Sequence, residues 1–165
     1  MTREQFSADV ITYRGMIYRL AFNCMGNRHD AEDVTQEAFL RFYRHKKPFT
    51  DEEHKKAFLI RVAVNLCKDL QKSAWFRKRT GPVEEFSVSQ SLSESNVDEA
   101  FLREQILKLK PNYRAVIFLF YYEGYTAAET AKILKISETA VTTRLNRARN
   151  QLRTQLFNER NEIYE

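Results

Sequence analysis

The chain has little of what enzymes and membrane proteins commonly depend on. It holds two cysteines and three histidines in 165 residues. Cys24 and Cys67 stand far apart, within apolar helical patterns and without the close spacing of a zinc site. They read as buried free thiols rather than a redox pair. His29, His45 and His54 form no ligand cluster and read as surface or loop residues. No window approaches the roughly 20 apolar residues of a membrane span, and Met1–Asp9 lacks the unbroken apolar stretch of a signal peptide. The expectation is a soluble, cytoplasmic protein with no direct membrane insertion. A Gly-rich phosphate loop, which an ATPase would need, is missing. So are a nucleophile paired with a base and a cluster of carboxylates able to face a metal, Asp30 and Asp33 being the nearest approach. No catalytic residue, cofactor or metal is expected.

What is present is charge, unevenly spread. Lys and Arg outnumber Asp and Glu by 27 to 22, a formal net charge of +5 that favours a polyanionic partner. Residues 1–79 carry 16 basic and 10 acidic side chains, and residues 99–165 carry 11 and 8. Residues 80–98 have no Lys or Arg, four acids and five serines, too little apolar area to order themselves. This segment reads as a flexible acidic linker, either a plain tether or a strand able to lie in a basic channel. The chain thus divides into a domain over 1–79, a linker over 80–98, a domain over 99–157 and a short tail over 158–165.

Apolar residues in both flanking blocks recur at three and four residues, which predicts helices throughout, an all-α fold of two small domains. Phe6, Val10, Tyr13, Ile17, Leu20 and Cys24 make one stripe. Ala31, Val34, Ala38 and Phe42 make a second, and Leu59, Val62, Leu66 and Leu70 a third. Three such faces close a small bundle. Asp30, Glu32, Asp33, Gln36 and Glu37 crowd the start of the second helix. The helix dipole alone stabilises acids there, yet the surface would repel DNA and suits a protein with exposed basic residues. On a helix spanning Leu59–Lys72, Arg61, Asn65, Lys68 and Lys72 share the side away from the apolar stripe. That face is either an ordinary solvated one or a ridge that neutralises phosphates while Asn65 reads a base.

The last third carries a helix-turn-helix pattern. Thr126 and Glu129 have capping-box spacing. Leu134-Lys135-Ile136 makes a break, and Ser137 is placed to cap a second helix with Val141, Leu145, Ala148 and Leu152 as its buried stripe. Ala131 and Val141 fit the two small contacts at the crossing. Lys135 stands where this turn commonly needs positive φ, at a cost on the order of 1 kcal/mol. Opposite the buried stripe lie Thr139, Thr142, Thr143, Asn146 and Arg147, with Arg144, Arg149 and Arg153 nearby. Short hydrogen-bonding side chains with guanidinium groups suit a major groove. The alternative, a merely solvated helix, would more often mix in Glu, and only Glu138 at the start is acidic.

Three segments in this order, DAEDVTQEAFLRFYR (30–44), FLIRVAVNLCKDLQK (58–72) and PNYRAVIFLFYYEGYTAAETAKILKISETAVTTRLNRARNQL (111–152), resemble the sigma-70 family of bacterial RNA polymerase sigma factors, specifically its extracytoplasmic-function (ECF) branch. The resemblance implies a region 2 bundle and a region 4 helix-turn-helix. It implies that Asp30, Asp33, Gln36 and Glu37 grip the clamp helices of the largest subunit of core RNA polymerase. Asn65, with Arg61, Lys68, Lys72 and the loop Lys46–His54, would engage the minus-10 element of promoter DNA. Thr139, Thr142, Thr143, Asn146 and Arg147 would meet the minus-35 element. Other implied partners are the polymerase beta flap and an anti-sigma factor, and the linker would thread toward the RNA exit path. Phe58 replaces a common tryptophan and Thr130 a common isoleucine, neither of which removes a named contact; Thr142 replaces a common basic residue, so the minus-35 sequence preference does not carry over. A simple helix-turn-helix repressor would leave the acidic helix and basic ridge idle and would need a dimer seam.

Overall fold

Most of the helices begin on a side-chain hydrogen bond that their own residues prescribe. In the computed structural model the backbone is described for residues 1–77 and 96–164, and side chains for 1–73 and 99–159. Helix α1 spans Arg3–Met25. Thr2 and Gln5 form a reciprocal capping box at its start, with bonds of 2.9 and 3.1 Å. Gly26 stops it at φ 78°, donating its N–H to Phe22 O at 2.9 Å. Asn27 then accepts from Asp30 N at 2.8 Å and starts α2, Arg28–Arg44. Asp51 accepts from His54 N at 2.7 Å at the head of α3, Glu52–Arg77.

Beyond the expected linker come α4, Asn96–Leu107, and α5, Pro111–Ile117, whose proline sits at the first turn where its missing N–H costs nothing. A π-helical turn, Phe118–Tyr122, continues α5. Helix α6, Ala127–Leu134, opens on the Thr126–Glu129 capping box. It ends at Lys135, which takes the left-handed conformation at φ 54° as the turn demanded. Ser137 accepts from Ala140 N at 3.0 Å and starts α7, Glu138–Tyr164. No strand occurs among the described residues, so the all-α expectation holds.

Boundaries differ from the sequence reading at three places. Helix α3 starts at Glu52 rather than Leu59 because Asp51 caps it, so His54 is helical and the preceding loop is shorter than Lys46–His54. Helix α4 starts at Asn96, inside the segment expected to be linker, whose residues 80–95 lie outside the described ones. The segment 158–164, expected to be a tail, continues α7.

Packing departs further. The first core gathers Ile17, Leu20, Ala31, Val34, Phe42, Leu59 and Ile60 from α1 to α3, but it also takes in Ala115, Phe118, Leu119, Tyr125 and Ile133 from the carboxyl-terminal half. A second core holds Ile106, Leu109, Val116, Ala131, Val141, Leu145 and Ala148. Fully burying a side chain the size of Leu119 or Phe118 contributes about 1.5–3 kcal/mol, so the two halves do more than graze each other. Because α3 is covered by α1 and α2 on one side and by α5 and α6 on another, its buried residues include Ile60, Ala63, Val64 and Cys67, while Val62 and Leu70 of the expected stripe are only half-buried.

Candidate nucleic-acid interface

The acidic face of α2 is outward and locally paired. Asp33 and Gln36 are exposed, and Asp30 and Glu37 partly so. Asp30 accepts from Asn27 Nδ2 at 2.8 Å, His29 lies 3.4 Å from Asp33, and Arg41 donates to Glu37 at 2.9 Å. Exposed pairs of this kind contribute little, so the carboxylates stay available. Leu40, 46 % exposed, continues the same face. His29, Asp30 and Asp33 present ligand-type atoms within 4.8 Å of one another, a grouping missed when His29 was read alone.

The basic ridge of α3 is split. Asn65 and Lys72 are exposed, as the spacing predicted. Arg61 instead turns toward α6, donating from Nη1 to the carbonyl of Ile133 at 3.0 Å. Burial lowers its pKa from the ordinary arginine value. Lys68 is half-buried, and burial, then the charges of Arg144 and Lys72, push its pKa down. A sequence reading by helical face could not foresee this, because α5 and α6 pack onto α3 from far along the chain and Arg144 of α7 reaches the same cleft.

Ahead of α3, the short loop is anchored by rings. His45 stacks on Phe49 at 4.9 Å and packs against Phe58 at 4.5 Å, while Phe49 meets Phe42 at 5.2 Å and His54 at 5.1 Å. Thr50 N donates to His54 Nδ1 at 3.2 Å. The interleaving of Phe and His between positions 42 and 58 was the available signal for this cluster.

On α7, Thr139, Thr142, Asn146 and Arg147 are exposed and Thr143 is partly so, opposite the buried Val141, Leu145 and Ala148. All five expected residues therefore share an accessible face. The three arginines grouped with them diverge. Arg144 lines the seam against α3 and Arg153 is exposed. Arg149 donates to Tyr121 Oη at 2.6 Å and to Asn146 Oδ1 at 3.3 Å, with its guanidinium 5.6 Å from the Phe120 ring centre. Arg149 thus braces Asn146 from the π-helical turn, a role that its position alone did not reveal.

Cys24 and Cys67 are buried and free, as expected. Distant in sequence, they meet in the core, where the Cys67 hydrogen bond chiefly lowers the pKa of the Cys24 thiol against the opposing effect of burial.

A helical bundle with an acidic outer face, packed on a helix-turn-helix whose second helix exposes hydroxyl, amide and guanidinium groups, is the architecture of a DNA-binding factor. Residues 10–77 match the Sigma-70 region 2 family and residues 102–152 match Sigma-70, region 4. The chain is 32% identical to the ECF RNA polymerase sigma factor SigW of Bacillus subtilis, over 93% of this chain and 90% of the relative. It is 31% identical to SigL of Mycobacterium tuberculosis, over 87% and 84%. Its fold resembles RpoE of Bartonella quintana in complex with the anti-sigma factor NepR, with a TM-score of 0.64 and 15% identity over 93% of this chain and 97% of that one. It also resembles CnrH in complex with the cytosolic domain of CnrY, with a TM-score of 0.63 and 22% identity over 94% and 89%. The chain belongs to the sigma-70 family, in its ECF branch. It is a factor for promoter-specific transcription initiation and not an enzyme. Among the described residues no helix is long and apolar enough to cross a membrane.

Proposed function

We propose that this sigma factor works in the cytoplasm through three separate faces. Asp30, Asp33, Gln36 and Glu37 dock on the clamp helices of the largest polymerase subunit. Asn65, with Arg61, Lys68, Lys72 and the ring-anchored loop before α3, holds the minus-10 element. Thr139, Thr142, Thr143, Asn146 and Arg147 read the minus-35 element, with the carboxyl-terminal half resting on the beta flap. The observation that carries the reading is the shared exposure of Thr139, Thr142, Asn146 and Arg147 on one side of a helix whose other side is core. Hydroxyl, amide and guanidinium groups so arranged match base edges and phosphates of a major groove.

The seam has a consequence for regulation. With Arg61 bonded to Ile133 O, the minus-10 face is partly withheld, so the halves separate before both promoter elements are held at once. An anti-sigma factor that favours the closed arrangement would keep the protein idle, and the resemblance to a fold solved with such a factor supports that partner. The test is co-migration of the purified chain with core polymerase, followed by initiation from a cognate promoter. Failure to bind core under mild salt would overturn the reading, whatever the affinity of α7 for a duplex.

A further inference from the structure

Among the described residues, the seam between the halves gathers cations that no carboxylate pairs at close range. Arg61 and Lys68 approach from α3 and Arg144 from α7, around a cleft of about 50 Å³ whose walls include Val64, Ala115 and Leu134. Arg61 spends one N–H on Ile133 O. Among the described residues neither Lys68 nor Arg144 has a hydrogen-bond or ion-pair partner. The acid that registers at Lys68 is Asp69, exposed on the same helix, and it weighs less than Arg144 or Lys72. Two amides, Asn65 and Asn112, complete the lining, and Asn112 Oδ1 is buried with no partner. Turning that amide by 180° would offer Nδ2 as a donor instead.

Like charges held this close at half-buried positions repel, because solvent screens them only in part. A polyvalent anion among them would convert the repulsion into charge-assisted hydrogen bonds from both halves. At roughly 10–15 Å³ per water, the cleft has room for about four waters, the size of a tetrahedral oxyanion and not of a nucleoside. Asn65 is exposed, which leaves a way in.

We propose that this cleft binds a phosphate-sized oxyanion through Arg61, Lys68 and Arg144, and that the bound ion latches the two halves together. The anion is a free phosphate or the phosphate end of a nucleotide whose remainder stays outside. Binding itself requires nothing of the promoter assignments. The consequence, that the ion competes with minus-10 DNA for Arg61 and Lys68, rests on the proposed function.

Calorimetric titration of the full chain with inorganic phosphate, at ionic strength held constant with chloride, tests the site. Saturable binding is expected, weakened at least tenfold in Arg144→Gln and in Lys68→Gln and unchanged in Lys132→Gln, an exposed cation of α6 outside the cleft. Two variants guard against one that fails to fold. Absence of saturable binding, or equal losses in all three variants, would overturn the proposal in favour of simple screening. Adenosine monophosphate binding as tightly as phosphate supports the nucleotide source, and binding of phosphate alone supports the free ion. The latch is read by hydrogen exchange, which phosphate should slow in α6 of the wild type and not of Arg144→Gln; no slowing would overturn it. Normal phosphate binding without loss of promoter affinity would instead overturn the minus-10 assignment of Arg61 and Lys68.

Discussion

Arg114, carried by α5, donates a hydrogen bond from Nη1 to the carbonyl of Cys24 in the last turn of α1. The same carbonyl accepts from Gln71 Nε2 of α3 at 2.5 Å, and Arg114 Nε is tied back to Leu109 O at 2.8 Å. Cys24 O is one of the carbonyls a helix end leaves without an intrahelical partner. The partial negative charge there attracts a cation. Burial lowers the Arg114 pKa, and the Cys24 and Cys67 thiols oppose that shift. One side chain thereby closes the end of α1 and fastens the carboxyl-terminal half to the amino-terminal bundle.

Replacing Arg114 with Met keeps the bulk and removes the donors. Leu109 O loses its guanidinium donor and Cys24 O keeps only Gln71, and an unsatisfied buried group costs about 1–3 kcal/mol. Urea unfolding should show that loss, and hydrogen exchange in α5 should quicken. Equal stability would mean that water replaces the guanidinium at no cost.

Gly26 and Gly124 both have positive φ, 78° and 74°. An alanine Cβ at Gly26 would lie 2.9 Å from Leu107 Cδ2, whereas one at Gly124 would meet nothing within 4 Å. Left-handed backbone costs each alanine roughly 1–2 kcal/mol. Only Gly26→Ala must also push α4 aside or turn the Leu107 side chain. Chemical denaturation should therefore rank Gly26→Ala below Gly124→Ala, and an inverted order would deny the contact any weight.

A polar chain clasps the first half of α1 to the first turn of α3. Lys55 Nζ reaches Glu52 Oε1 at 2.8 Å and Asp9 Oδ1 at 3.3 Å, and the Tyr13 hydroxyl donates to Glu52 Oε2. The Lys55 bond first, then the Tyr13 bond, lowers the Glu52 pKa from its ordinary value. A carboxyl depressed in the folded state binds its proton more readily in the unfolded chain. Its contribution is present above the unfolded pKa of about 4.3 and is lost as pH falls through the folded one. Thermal midpoints of wild type and Glu52→Gln should thus differ at pH 7 and converge toward pH 3. A constant gap would remove charge from the explanation.

Charge reversal at Asp33 and Glu37 separates docking from folding. Their local partners, His29 and Arg41, are themselves exposed, so losing those pairs costs little stability. Asp33→Lys with Glu37→Lys should weaken core polymerase binding at least tenfold while circular dichroism and melting stay near wild type. Undiminished binding would move the docking face elsewhere.

Local structure could be read from the sequence because local chemistry produces it. The capping box at Thr126 and Glu129, the cap at Ser137 and the left-handed Lys135 each follow from residues three or four apart. Val141, Leu145 and Ala148 face inward for the same reason, and the opposite face of α7 is open in the fold. What stayed hidden was long-range. Nothing near Arg61 announces Ile133, nothing near Arg144 announces Lys68, and the meeting of Cys24 with Cys67 depends on how α1 crosses α3. Amphipathic spacing separates a buried face from an exposed one, but it does not say which exposed face a distant helix will later cover.

Arg147 and Arg149 sit two residues apart, yet the fold gives them different tasks. Arg147 is exposed on the face proposed to read the minus-35 element. Arg149 is bound to Tyr121 Oη and Asn146 Oδ1 and lies over aromatic rings, which fits it to position the Asn146 amide. Arg147→Ala should cost about 1–3 kcal/mol of discrimination at one minus-35 position, with affinity for mismatched sites falling less. Arg149→Lys retains the charge but not the planar fork that spans Tyr121 and Asn146, so its loss should appear at whichever base Asn146 meets. Competition binding against promoters mutated one base at a time distinguishes the two. A uniform loss across all sequences in Arg147→Ala would make that residue a phosphate contact and leave Thr142, Thr143 and Asn146 to carry the reading.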